Sequence, residues 1–277
     1  MKEDAKISRF MTADQWIKLD IVEMGPLWDR IRRHHPSYDA TQAAVLAEGL
    51  MTTLLLLGRS DFLQRVQLMI KSSGRIKNLI TDAWPDGSIR GFCDAGSPQA
   101  SLPFELPGSI QVMRSQPSGE PYMGLLPLVE GGIDKQLEAY FQQSEQIQTS
   151  VHLWCDPLTG LGGALKVEPL PLCPPTRLAR LIQALEGLEV VPLEERTTEF
   201  LAAWINQGEG YQPLTSTDVR YACRCNRDDL VRIMRGFSSE EKQHLFETQD
   251  HTEVRCDYCA EVFIIRASDL TTEEVNS

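Results

Sequence analysis

Four of the seven cysteines in this 277-residue chain crowd near its C-terminus as two tight pairs, Cys223-Arg224-Cys225 and Cys256-Asp257-Tyr258-Cys259, with 30 residues between them. That spacing is a metal-ligand pattern. Zinc takes four thiolates at tetrahedral corners, and two ligands a few positions apart reach one ion while a longer loop returns the second pair. The first arm is unusual in being C-x-C, where zinc ribbons and fingers mostly carry C-x2–4-C. If Cys223 and Cys225 were oxidised to each other they would close a very small ring, and strain of that kind makes a disulfide easy to reduce.

Spacing alone leaves alternatives open. An inert structural zinc knuckle explains all four cysteines equally well. A thioredoxin-like thiol–disulfide oxidoreductase needs its C-x-x-C at a helix N-terminus, where the dipole lowers the thiol pKa. Here Cys259 is followed by Ala260-Glu261-Val262-Phe263-Ile264-Ile265, a β-rich run without a helix start, which disfavours that option. His244 and His251 lie between the pairs, but four cysteines already complete a site, so both read as bystanders.

The remaining cysteines, Cys93, Cys155 and Cys173, sit in strand-like or proline-rich settings and read as small hydrophobes rather than reactive thiols. The N-terminus Met1-Lys2-Glu3-Asp4 is charged, lacks the apolar core of a signal peptide, and no run approaches the length of a membrane span. A cytoplasmic protein without a membrane partner is the expectation, and in a reducing compartment cysteines are thiols or metal ligands. The formal net charge of −12 argues against nucleic acid as a partner. The cysteine segment does not change this, since Arg220–Glu261 holds seven Lys/Arg against nine Asp/Glu, a net of −2.

The length suits one sizeable core and a small second unit. Residues 16–22 alternate as a half-buried strand, and a helix is expected over 25–34. Thr41 is a candidate N-cap for a second helix whose Ala43, Ala44, Leu46, Ala47, Leu50, Leu54 and Leu57 share a broad face, which predicts the buried central helix of the main domain. From Phe62 to Pro127 short β segments follow at 65–70, 76–80, 88–93, 109–113 and 123–126, with a turn at Pro85-Asp86-Gly87. Ile133, Leu137, Tyr140, Phe141 and Ser144 predict a helix, and 149–155 and 164–167 two more strands. Gly160-Leu161-Gly162-Gly163 between them lacks both the dinucleotide and the P-loop order and reads as a strand connection.

The dense prolines of 169–175 end the first domain. Beyond them, Leu178, Leu181, Ile182, Leu185 and Leu188 form one helical stripe after an N-cap at Thr176, and Phe200, Leu201, Trp204 and Ile205 a second. Each stripe needs a covering surface, so both helices are expected to pack on the first domain as a linker of limited intrinsic stability. The last unit begins near Tyr221. Leu230, Ile233, Met234 and Phe237 sit at helical spacing after Asp228, and Ser238-Ser239-Glu240-Glu241 reads as a capping box. So few apolar residues cannot offset chain entropy without a staple, and folding here is expected to depend on the metal. No catalytic constellation is found elsewhere: His34-His35 and His152 lack a nucleophile signature, and Glu194-Glu195 and Glu240-Glu241 read as solvated helix starts.

With C-x-C followed some thirty residues later by C-x-x-C, the sequence resembles the redox-regulated heat-shock chaperones, the bacterial thirty-three-kilodalton holdase family. Leu46-Ala47-Glu48-Gly49-Leu50, the stretch Leu137–Gln146 that contains Tyr140-Phe141-Gln142-Gln143-Ser144-Glu145-Gln146, and Gly162-Gly163-Ala164-Leu165 before the proline-rich exit look like family segments in family order. The resemblance implies an α/β (α+β) fold with a mixed or antiparallel-sheet N-terminal domain over 1–173, a metastable helical linker over 174–220, a zinc-binding redox-switch domain over 221–270 and a tail over 271–277. It also implies Zn2+ held by Cys223, Cys225, Cys256 and Cys259 in an inactive reduced form. Oxidation would form the disulfides Cys223–Cys225 and Cys256–Cys259, release zinc and unfold switch and linker. The exposed surface would then bind unfolded or misfolded client proteins without ATP and without enzymatic turnover, with a homodimer on activation left open. The competing classes are a zinc-stapled interaction module without redox function and a thiol–disulfide oxidoreductase. Two stretches depart from the family pattern: Asn226-Arg227-Asp228-Asp229 after Cys225, and Ala260 where glycine is common after the last cysteine.

Overall fold

The computed structural model describes residues 5–58, 65–116, 118–247 and 249–270, and the chain falls into two units divided between Ala222 and Cys223. The first unit runs β1 (Lys6–Thr12), β2 (Ile17–Glu23), α1 (Leu27–His34), α2 (Ala40–Leu57), β3 (Arg65–Lys71), β4 (Ile76–Ala83), β5 (Ser88–Ala95), β6 (Ser109–Ser115), β7 (Tyr122–Pro127), α3 (Ile133–Tyr140), β8 (Ser150–Cys155), β9 (Gly162–Pro169), α4 (Pro175–Gly187), α5 (Thr198–Asn206), β10 (Tyr211–Asp218) and β11 (Arg220–Tyr221). The second holds α6 (Arg227–Arg235), α7 (Ser239–Leu245), β12 (His251–Arg255), β13 (Val262–Arg266) and α8 (Ala267–Leu270). Met1 to Asp4, Phe62 and the 271–277 tail lie outside the described residues.

Two sheets make the first unit. One has the order β10-β1-β2-β9-β8, the other β11-β5-β4-β3-β6-β7, and every pairing is antiparallel except the short parallel one of β11 with β5. This is the mixed α/β architecture expected from the hairpin-rich sequence. Helix α2 lies between the sheets, touching β3, β4 and β5 on one side and β2, β8 and β9 on the other. A helix with sheets on two sides must be apolar nearly all round, and α2 buries Val45, Met51, Leu55 and Leu56 as well as Ala43, Leu46, Ala47, Leu50 and Leu54.

Two expectations about α2 need correction. Its N-cap is Asp39, not Thr41: the Asp39 carboxylate accepts the Gln42 amide at 2.8 Å and the Gln42 side chain accepts the Asp39 amide at 3.2 Å, a reciprocal box that starts the helix earlier. And at 18 residues it is long and apolar enough to cross a membrane by length and composition, so length does not decide the matter. Its burial between two sheets accounts for its apolarity instead.

The outer face of the first sheet is covered by α4 and α5. Leu181, Leu185, Leu188, Leu201 and Ile205 pack on Ile17, Leu19 and Ile21 of β2 and Leu165 and Val167 of β9, whereas Ile182 and Trp204, expected in the same stripes, are 49% and 36% exposed. Helix α4 starts one residue ahead of Thr176, at Pro175, with Pro174 as its N-cap and no side-chain cap bond; Pro at the first helical position gives up an amide that would be unpaired anyway. Residues 211–218 are not helical. They form β10, the edge strand beside β1, with an irregularity where Pro213 sits opposite Phe10.

The second unit is small. Among its described residues, Val231, Met234, Ile265 and Leu270 are the buried apolar set, with Leu245, Phe246, Val254 and Phe263 partly buried around them. The inward face of α6 is therefore Val231 and Met234, whereas Ile233 and Phe237, expected inside, are 60% and 38% exposed. With β13 and the short α8 to pack on, α6 covers a narrow stripe and leaves Ile233 in water.

Candidate metal centre

Each cysteine pair is held by a different local structure. Cys256 to Cys259 form the turn of the β12–β13 hairpin, closed by the Cys256 amide donating to the Glu261 carbonyl at 2.9 Å and the Ala260 amide donating to the Cys256 carbonyl at 2.8 Å. Ala260 closes that turn at φ +61°, in the left-handed region that glycine adopts freely. Cys223 to Cys225 lie in irregular chain between β11 and α6. The residues that depart from the family pattern build the start of that helix. Asn226 is its N-cap, its side-chain oxygen accepting the Asp229 amide at 2.8 Å, while Arg227 pairs with Asp269 and Arg232 with Asp229.

The four sulfurs converge to within 4.8 Å of one another. Sγ of Cys223 is 3.6 Å from that of Cys256, and Sγ of Cys225 is 3.4 Å from that of Cys259. Four sulfurs about 2.3 Å from one ion stand about 3.8 Å apart along each tetrahedral edge, so the spacing fits a single metal ion and is far too long for S–S bonds. All four residues are half-buried, which leaves the thiols reachable by small solutes.

The electrostatics fit a cation as well. Burial pushes the Cys225 thiol well above its ordinary value, helped by hydrogen bonds it donates to Cys223 and Cys259, and burial likewise pushes Cys259 up to about 11. For Cys223 burial works upward too, but hydrogen bonds from the Cys225 amide and from the other three thiols outweigh it and hold the thiol below its ordinary value. Close sulfurs oppose one another's ionisation; a divalent cation among them would reverse that balance and let all four bind as thiolates.

The other sequence candidates lie elsewhere. His244 pairs with Glu247 at 3.4 Å and His251 with Asp250 at 2.9 Å, and neither belongs to the sulfur group. Cys93 is buried in the first unit, Cys155 packs partly buried against the same core, and Cys173 is half-exposed ahead of α4. In the sequence Ala260 stands out only as an exception to a glycine; its left-handed backbone is the reason a glycine suits that place.

Comparison with known proteins decides the family. The sequence profile of the Hsp33 protein family matches residues 5–266. The chain belongs to the Hsp33 family. Hsp33 relatives are chaperones: the 33 kDa chaperonin of Thermus thermophilus is 27% identical over 288 residues, covering 93% of this chain and 83% of that protein. The 33 kDa chaperonin of Citrifermentans bemidjiense is 26% identical over 262 residues, 86% of each. The crystal structure of the 33 kDa chaperonin, heat shock protein 33 homolog, from Thermotoga maritima has the same fold, with a TM-score of 0.80 over 97% of each chain at 19% identity.

Proposed function

We propose that this Hsp33-family chain is a redox-regulated, ATP-independent holdase that captures unfolded or misfolded proteins in the cytoplasm under oxidative stress and is not an enzyme. The observation that carries the reading is the convergence of four half-buried thiols in a unit whose described core has four buried apolar residues. Cys223, Cys225, Cys256 and Cys259 hold zinc in the reduced, inactive form. Bound zinc supplies the cross-link between the two arms that so small a core does not.

The switching chemistry belongs to the cysteines. A thiolate attacks the O–O bond of a peroxide; an S–O bond forms and the leaving hydroxide is protonated to water. The neighbouring thiol then displaces the sulfenic oxygen as a second water and closes a disulfide. The resemblance pairs Cys223 with Cys225 and Cys256 with Cys259. Each disulfide removes two thiolate donors at once, so oxidation and loss of the metal-dependent fold are one event.

Tyr221, at the end of β11, stands two residues before Cys223, and β10 and β11 lead back along the chain to α5. When α4 and α5 leave the first sheet, their stripes and the β2–β9 face both become accessible. At about 25 cal/mol per Å2, that apolar area binds exposed segments of other proteins. The test is light scattering by a heat-unfolding client with reduced and with peroxide-treated protein, without nucleotide. Suppression only by the oxidised form is expected. Equal suppression by both forms, with metal retained, makes the four cysteines a structural staple and ends the switch reading.

A further inference from the structure

The α4–α5 segment docks on the first sheet through an apolar face that contains one charge. Arg177, in the first turn of α4, is 2% exposed, and it is the only charged residue buried between residues 175 and 206. Its Nε donates to Asp14 Oδ2 at 2.7 Å and its Nη2 to Asn206 Oδ1 at 3.4 Å, while Nη1 is buried without a partner among the described residues. Asp14 belongs to the β1–β2 turn. Its other oxygen, Oδ1, accepts the Thr12 hydroxyl at 2.5 Å and the Trp16 amide at 3.2 Å, so the turn holds the carboxylate in place for the incoming guanidinium. Asn206 closes α5, and its side-chain amide donates to the Gly210 carbonyl where the chain enters β10. One cation thus joins the start of α4, the end of α5 and a rigid turn of the sheet.

We propose that Arg177 is the lock of the α4–α5 segment, a buried cation whose clasp by Asp14 decides whether the segment stays on the first sheet. Apolar stripes slide and repack with gradual loss of contact; a desolvated guanidinium does not. Either Asp14 and Asn206 hold it or it must return to water, and it takes the first turn of α4 with it. Because Nη1 lacks a partner among the described residues, the docked guanidinium is incompletely compensated, and release gains the hydration of the whole group. The same residue therefore makes docking specific and keeps it reversible. This rests on the reading of the segment as the releasable cover of the client-binding surface.

The test compares three zinc-loaded, reduced proteins by hydrogen exchange: the parent, Asp14→Asn and Asp14→Asn/Arg177→Met. Amides of the second sheet, in β3 to β6, report whether each variant is folded. Asp14→Asn leaves the guanidinium buried and unpaired, and protection in 178–188 and 200–205 is expected to fall about 100-fold while the second sheet is unchanged. In the double variant the charge is gone, and protection is expected to return to within about tenfold of the parent. If Asp14 served only to shape its turn, the double variant would be as loose as the single one, and that result overturns the lock, as does undiminished protection in Asp14→Asn. Client aggregation measured on the same samples separates the two readings. Loosened helices with no gain in client capture under reducing conditions leave the lock standing and remove the client-surface assignment.

Discussion

Ala260 in the second unit occupies the backbone position that Gly160 occupies in the first. Both close a strand–turn–strand hairpin in the left-handed region, at φ +61° and +70°. The hydrogen bonds match: Asp156 amide to Leu161 carbonyl at 2.8 Å and Gly160 amide to Asp156 carbonyl at 2.8 Å in one, Cys256 to Glu261 at 2.9 Å and Ala260 to Cys256 at 2.8 Å in the other. Where the β12–β13 hairpin carries Cys256 and Cys259, the first carries Asp156 and Thr159, whose hydroxyl donates to the Asp156 carboxylate at 2.6 Å. A local hydrogen bond holds one turn; thiolates suited to a shared cation stand in the other.

Ala260→Gly is accordingly expected to stabilise the metal-loaded second unit. An L-residue in the left-handed region costs about 1–2 kcal/mol, and part of the gain is lost to the greater freedom of glycine in the unfolded chain. A net gain of roughly 1 kcal/mol, read as a higher chelator concentration at the unfolding midpoint, is the expected outcome. An unchanged midpoint would show that the position is unstrained.

The converse change in the first unit should be severe. A Cβ on Gly160 would stand 2.1 Å from Cγ of Trp28, a backbone-anchored ring that is itself buried. Gly160→Ala combines that clash with the left-handed backbone and is expected to lower the stability of the first unit by roughly 3 kcal/mol or more, measured by urea unfolding.

Glu48 predicts a pH effect. Burial, with the Asp134 charge adding to it, raises its carboxyl from 4.5 to about 7. A raised acid favours the folded state when protonated, so its contribution is fully present below pH 4.5 and is lost as pH rises from there to about 7. Glu48→Gln should therefore leave stability unchanged near pH 4 and raise it by about 1–3 kcal/mol at pH 8, the smaller end allowing for the hydration a half-buried carboxyl keeps. Equal effects at both pH values would assign the change to packing.

Metal removal should separate the two units. Chelation under reducing conditions is expected to abolish amide protection in 223–270, where the core is minimal, while β1 to β9 keep theirs around α2. Metal analysis belongs with it. One zinc per chain is expected, and none in Cys256→Ser/Cys259→Ser.

What could be read from sequence follows the strength of local signals. The cysteine pairs, the β3 to β7 hairpins and most of the α4 and α5 stripes are regular patterns that the structure follows, with Ile182 and Trp204 left on the exposed side. Strand β10 gave no such pattern, because Tyr-Gln-Pro-Leu-Thr-Ser-Thr-Asp is an exposed edge with mostly polar side chains and a proline at its irregular point. Nor could spacing tell which side of α6 faces inward: Ile233 and Phe237 fit the helical period as well as Val231 and Met234, and only β13 and α8 decide between them. The Arg177–Asp14 pair joins residues 163 positions apart, beyond the reach of any local pattern.

The claim that thiol oxidation and release of α4–α5 form one coupled event is tested most directly by hydrogen exchange on zinc-loaded protein before and after peroxide at mild heat. Client light scattering is read on the same samples. The predicted result is that protection over 175–206 disappears only in the oxidised sample, together with protection over 223–270, and that suppression of client aggregation appears in that sample alone. Full client capture by the oxidised protein with 175–206 still protected would contradict it, because the surface doing the binding would then lie elsewhere.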